Sequence, residues 1–130
     1  MKRWLILCIA TLLWGRSIGW MGDYEAALYR ARQEKKPLLI IVVKPGCEAC
    51  NELLKKIARD EVLAGNIARS TIPLLLTEGV EKYPIEMYYT PIVPAIFLVD
   101  GQERFLIDPI APASLSALRR RLEKEVFNKR

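Results

Sequence analysis

Six consecutive apolar residues, Leu38-Leu39-Ile40-Ile41-Val42-Val43, constrain the fold of this chain more than any other stretch. Neither face of a strand built from them would carry a polar side chain, and the run is rich in β-branched residues. A run of this kind is a central strand covered on both faces, as in α/β sheets with helices packed above and below. Pro37 opens it, where a missing N–H does least harm.

The strand delivers the chain to Lys44-Pro45-Gly46-Cys47-Glu48-Ala49-Cys50-Asn51. Leu53, Leu54 and Ile57 then follow Cys50 at helical spacing. Pro45-Gly46 turns the chain, and Cys47 begins the helix. Residues three apart in a first helical turn share a face, so the two sulfurs can close or open a disulfide with little backbone movement. The first turn also leaves N–H groups unpaired, and the helix dipole adds partial positive charge there. Both favour the thiolate, which is the nucleophile. The pattern points to thiol–disulfide exchange, with Cys47 attacking and Cys50 resolving. A purely structural disulfide fits the same spacing. A metal site fits poorly, because the chain has no histidine and no third cysteine near the pair, whereas soft-metal sites use three or four such ligands.

The 130 residues suffice for one domain with a core. The net charge of +5 is concentrated at the start. Without Lys2, Arg3 and Arg16 it falls to +2, too mild to argue for nucleic acid. Arg119-Arg120-Arg121 reads as a solvated helix face. Lys2-Arg3, the apolar stretch Trp4 to Trp14, and Ser17 and Gly19 together form the pattern of a secretory signal, with cleavage expected after Gly19. Residues 1–19 are therefore expected to be a signal segment, with Cys8 as one of its apolar residues, and 20–130 the mature domain. That places the Cys47–Cys50 pair in a periplasmic or otherwise extracytoplasmic, oxidising compartment.

Along the domain, Asp23 is an N-cap for a helix with Tyr24, Ala27, Leu28 and Ala31 on its apolar face. Asp60 to Ile67 continues as a short helix. Ser70 to Thr77 is a second strand, with Pro73 arguing for a sheet edge or bulge. The helical crossover between the two strands makes them parallel. Pro84 opens a short helix through Tyr89. Ala95 to Val99 is a third strand, Asp100-Gly101 a hairpin turn, and Arg104 to Ile107 a fourth strand. Ser114 to Asn128 is a closing helix with Leu115, Leu118, Leu122 and Val126 inward.

This order, with Cys47-Glu48-Ala49-Cys50 after the central strand and Val93-Pro94-Ala95-Ile96-Phe97-Leu98-Val99-Asp100-Gly101 downstream, resembles the secreted thioredoxin-like proteins over nearly all of residues 20–130. The resemblance implies a thioredoxin fold with a central four-stranded mixed sheet flanked by helices; the family's usual first strand has no room after residue 19. It implies that Pro94 is cis beside the sulfurs and keeps metal from the pair, and that Val93 pairs its backbone with an extended substrate. The proline after Val93 independently restricts Val93 to an extended shape.

Two departures stand out. Thioredoxins carry Trp before the first cysteine; Gly46 there implies a more open, less selective site. They also carry a buried acid on the central strand, absent from Leu38 to Val43. Glu48 either replaces it in part or is a solvated carboxylate. As a like charge beside Cys47, Glu48 opposes the thiolate, which favours a reductant or mid-potential exchanger over a strong oxidant. Disulfide-donating oxidant, isomerase, and a peptide-binding or chaperone-like module with an inert disulfide are the alternatives. No cofactor is implied. The implied partners are thiols and disulfides of exported proteins and a membrane or soluble redox partner, with the chain acting as a monomer.

Overall fold

The computed structural model describes residues 18–128. The expected signal segment lies outside the described residues apart from Ile18 and Gly19. The order of elements is α1 (Tyr24–Glu34), β1 (Leu38–Val43), α2 (Glu48–Arg59), α3 (Glu61–Ser70), β2 (Ile72–Thr77), α4 (Ile85–Tyr88), β3 (Ala95–Val99) and α5 (Leu115–Leu122). A π-helical turn, Glu123–Phe127, extends α5.

Strand β1 is central, between β2 and β3. It runs parallel to β2, with Leu38 opposite Ile72 and Val43 opposite Thr77, and antiparallel to β3, with Leu38 opposite Val99 and Val42 opposite Ala95. Every residue of β1 is buried. Side chains alternate across a strand, so β1 feeds two cores. Leu38, Ile40 and Val42 pack with Tyr24, Leu28, Leu74 and Phe97 on the α1 side. Leu39, Ile41 and Val43 pack with Leu53, Ile57, Ile67 and Leu118 on the side of α2, α3 and α5. The uninterrupted apolar run is thus required by two helical layers, and cutting one of its side chains to Ala would cost about 2–5 kcal/mol.

Local chemistry sets the helix boundaries. Asp23 Oδ1 accepts from Ala26 N at 3.0 Å, and Ser114 Oγ from Ala117 N at 3.2 Å. Asp60 both ends α2, its N–H meeting the Lys56 and Ile57 carbonyls, and caps α3. Helix α3 runs through Ser70, so β2 starts at Ile72, two residues later than the sequence suggests.

The sheet has three strands, not the four expected. The hairpin after β3 does form: Asp100 N–H donates to the Arg104 carbonyl at 2.9 Å and Leu106 N–H to that of Leu98 at 2.8 Å. Its return arm pairs only at single points, Phe105 with Val99 and Ile110 with Ile96. Glu103 enters that arm at φ +64, and Pro109, which has no N–H, precedes the second point. Between them the chain leaves the ladder. On the opposite edge, Met21 makes an isolated parallel bridge to Leu74. Pro73 sits in β2 on this outer edge, where its carbonyl accepts from Met21 N–H at 2.9 Å and its missing N–H removes no bond to β1.

Candidate active site

Cys47 is the N-cap of α2, and its Sγ accepts from Cys50 N–H at 3.0 Å. Cys47 and Cys50 form a disulfide with a Cα–Cα distance of 5.3 Å, within the ordinary range for such bonds. The two sulfurs differ in environment. Cys50 is 1% exposed and belongs to the core beneath α2, whereas Cys47 is half-buried at its edge. In the reduced pair a Cys47 thiolate would keep the Cys50 amide as donor and face the positive end of an α-helix of 12 residues.

The remaining candidates lie around this pair. Gly46 is exposed at φ +71, with no atom within 4 Å of where a Cβ would stand. The glycine is there for its left-handed backbone, which turns the chain from β1 into α2. Glu48 is exposed in the first turn of α2, whereas Cys50 is buried. Lys44 pairs with Glu78 at 3.8 Å, so its charge is held towards the end of β2.

The register of β1 with β3 sets Val42 opposite Ala95. Val93 and Pro94 therefore stand where the chain leaves β1 for the cysteines. The Val93–Pro94 bond is cis, Pro94 is buried, and Val93 packs on the core that also holds both cysteines. The main-chain N–H and carbonyl of Val93 have no hydrogen-bond partner among the described residues. Among those residues, no three His, Cys, Asp or Glu side chains converge as a metal site would require.

The stretch Glu78 to Tyr89, the least legible from sequence, and the approach Thr90 to Pro94 after it add two features. Thr90 is buried; its hydroxyl donates to the Ile92 carbonyl at 2.6 Å and accepts from Ile92 N–H at 3.3 Å. This local turn fixes the approach to Val93, and the Thr-x-x-x-Pro stretch was its only sequence signal. A cavity of about 330 Å³ lies beside it, lined among others by Lys44, Glu78, Tyr83, Ile85, Tyr89 and Thr90. Its rim is apolar and open: Ile85 is 65% and Tyr89 72% exposed. The tyrosine density of the segment was the available clue.

A family model described as thioredoxin-like matches residues 19–101. The chain belongs to the thioredoxin-like family. It is 34% identical over 90 residues to anterior gradient protein 3 of Mus musculus, covering 67% of this chain and 52% of that protein. It is 38% identical over 87 residues to the Xenopus tropicalis protein of the same name, covering 60% and 53%. The chain spans about half the length of these curated relatives. Among solved structures it is similar to the DsbH oxidoreductase, with a TM-score of 0.66 at 13% identity over 88% of this chain and 87% of that one. Trichomonas vaginalis thioredoxin gives a TM-score of 0.61 at 21% identity, over 79% and 91%. The fold is thus the thioredoxin fold, with a mixed sheet between helical layers and the Cys47–Cys50 disulfide at the junction of its central strand and α2.

Proposed function

We propose that the chain is an exported thiol–disulfide oxidoreductase acting on protein substrates as a reductant or mid-potential exchanger. The observation that carries this reading is the asymmetry of the couple: Cys47 half-exposed at a helix N-terminus with an amide aimed at its sulfur, Cys50 buried one turn on. The Cys47 thiolate attacks one sulfur of a substrate disulfide. That bond breaks, the first substrate thiolate leaves, and a mixed disulfide forms. Cys50 loses its proton and attacks Cys47 Sγ, releasing the second substrate thiolate. Two electrons pass to the substrate, and the pair ends as the disulfide seen here. Strand β1 offers no carboxylate to take the Cys50 proton, which therefore goes to water or to the departing thiolate. A dithiol donor, membrane-bound or soluble, must reduce the pair again.

The unpaired main chain of Val93 suits an extended substrate segment. Gly46 leaves the approach unobstructed, and the apolar rim of Ile85 and Tyr89 offers contact for flanking side chains. That same rim favours a second reading, a peptide-binding module whose disulfide is inert. The sequence pattern of residues 1–19 supplies the argument for export, and no helix among the described residues is long and apolar enough to cross a membrane.

Equilibration of the couple in glutathione or dithiothreitol buffers tests the proposal. A potential near about −270 mV with rapid exchange is expected. A value near about −120 mV would make the protein a disulfide donor. A value below about −300 mV with slow exchange would leave only the inert-disulfide module. In a Cys50→Ala protein the exchanger accumulates mixed disulfides on Cys47, whereas the module accumulates none.

A further inference from the structure

A second cavity lies at the other end of the sheet, where α1 gives way to β1 and β3 gives way to its turn. It has a volume of about 330 Å³, and the charged side chains in its lining are Arg32, Lys35, Lys36, Arg104 and Asp100. Four cations thus face one carboxylate, and that carboxylate is fully engaged. Asp100 Oδ1 accepts the N–H groups of Gln102 and Arg104 at 2.9 and 3.0 Å, and Oδ2 accepts from Arg104 Nε at 2.8 Å.

Both arginines are held from one side. Arg32 Nε donates to the Gly101 carbonyl at 2.8 Å. Gly101 permits this contact, since a Cβ there would stand 3.0 Å from Arg32 Cγ and 3.4 Å from its Cα. Each guanidinium is therefore oriented through Nε, while its Nη groups have no partner among the described residues, nor has Lys35 Nζ. Lys36 pairs with Glu34 at 3.4 Å, and Glu34 also takes Arg30. The C-terminal end of α1 carries partial negative charge, a fraction of what the four cations supply. A concave site with an excess of one sign focuses its field and concentrates counter-ions.

We propose that this cavity binds a phosphate-bearing ligand, gripped by the free ends of Arg32 and Arg104. The planar guanidinium fork matches phosphate oxygens in pairs, which a lysine ammonium does not. Lys35 and Lys36 add unfocused attraction. Pro37 and Leu106 also line the cavity and give a short apolar portion of the ligand something to rest on. The ligand class is a phosphomonoester or phosphodiester, free or as a lipid headgroup. This site is independent of the redox couple, which stands at the opposite end of β1.

The test is a titration of the protein with glycerol phosphate, followed by amide NMR, and sedimentation with vesicles of phosphatidylglycerol or of phosphatidylcholine. Saturable shifts are expected at Gly101, Gln102 and the Arg32 Nε–H, weakening as salt rises. Arg32→Gln should weaken binding about tenfold, the loss of one bidentate charged contact. Gly101→Ala should do the same by displacing Arg32. The exchange rate of the Cys47–Cys50 couple should be unchanged in both, which also shows that they are folded. Saturable glycerol phosphate binding without vesicle binding assigns a free ligand. Binding to phosphatidylglycerol vesicles alone that falls in both variants assigns a headgroup. Shifts that do not saturate, that map elsewhere, or that persist unaltered in both variants overturn the proposal, provided vesicle binding is also absent or unaltered.

Discussion

Helices α2 and α3 both begin on a side chain that accepts the amide three residues ahead. Cys50 N–H reaches Cys47 Sγ at 3.0 Å, and Leu63 N–H reaches Asp60 Oδ1 at 3.1 Å. The two caps share a geometry and differ in what surrounds them. Asp60 is tied down: its other oxygen takes Arg119 from α5, and its carboxyl is held below the usual carboxylate range by the Leu63 amide first and by Arg119 second. Beyond its disulfide to Cys50, the Cys47 sulfur has only that amide. The nearest cation in sequence, Lys44, is paired with Glu78, and Gly46 in front of it carries no side chain. A helix N-terminus stabilises whichever anion it is given. With a cross-linking cation the anion becomes a structural joint. Left without one, it stays a nucleophile.

The largest effect follows from removing the sulfur cap. Cys47→Ser keeps a capping oxygen but not the nucleophile, so disulfide exchange should fall by on the order of a thousandfold or more. Urea unfolding of this protein, compared with the wild type reduced at both cysteines, should differ by less than about 1 kcal/mol. A reduced-state stability loss well above that would mean that Cys47 is a structural joint like Asp60.

Asp60→Ala should show the opposite profile. Loss of the cap costs about 1–2 kcal/mol, and the partly exposed Arg119 pair adds at most about 1 kcal/mol. The melting temperature should fall by roughly 4 °C per kcal/mol, while the redox potential stays put. The sign with pH is fixed by the depressed carboxyl. Its stabilising contribution is fully present above the unfolded value of about 3.9 and disappears as pH falls through the lower folded value. Urea midpoints of wild type and variant should therefore converge below about pH 4. A gap that stays constant down to pH 2 would show that the carboxylate charge contributes nothing.

The difference between these two helix starts was only half legible in the sequence. The run from Leu38 to Val43, the Cys-x-x-Cys junction and the Asp23 cap are local patterns, and local patterns survive folding. Pro73 at an outer sheet edge was legible for the same reason, because proline removes a donor wherever it sits. The Asp60–Arg119 pair spans 59 residues, and the bond from the buried Tyr24 hydroxyl to Glu103 spans 79; no spacing rule reaches that far. Arg104 to Ile107 reads as a strand, yet the strand fails on Glu103 at positive φ and on the pairing of Ile110 with Ile96. The slot beside Thr90 was invisible because its walls come together from the residues just after β1 and β2 and from α4 and the stretch that follows it.

A smaller effect tests whether the open front of Cys47 depends on backbone or on space. Gly46→Ala places a Cβ in a left-handed conformation, at a cost of roughly 1 kcal/mol, but meets no atom within 4 Å. Unfolding should shift by that amount, with exchange towards a protein disulfide changed less than about threefold. A larger loss of exchange at unchanged stability would mean that the front of Cys47 is sterically tight, which would remove the contrast with Asp60.

The smallest effect concerns Glu48, the first residue of α2. Its charge lies beside the sulfur and opposes the thiolate, but it is exposed, and neighbouring like charges on a helix surface interact by only a few tenths of a kcal/mol. Glu48→Gln should lower the Cys47 thiol pKa slightly, stabilise the reduced couple by that amount, and move its potential upward by about 5–10 mV. The shift should vanish at high salt, where exposed charges are screened. A rise of tens of millivolts that survives salt would place Glu48 in close, desolvated contact with the couple. Glu48 would then act on Cys47 as Arg119 acts on Asp60, with the opposite sign, and the sulfur cap would be tuned by a partner after all. A shift within the expected few millivolts leaves the helix start itself as the main influence on the nucleophile.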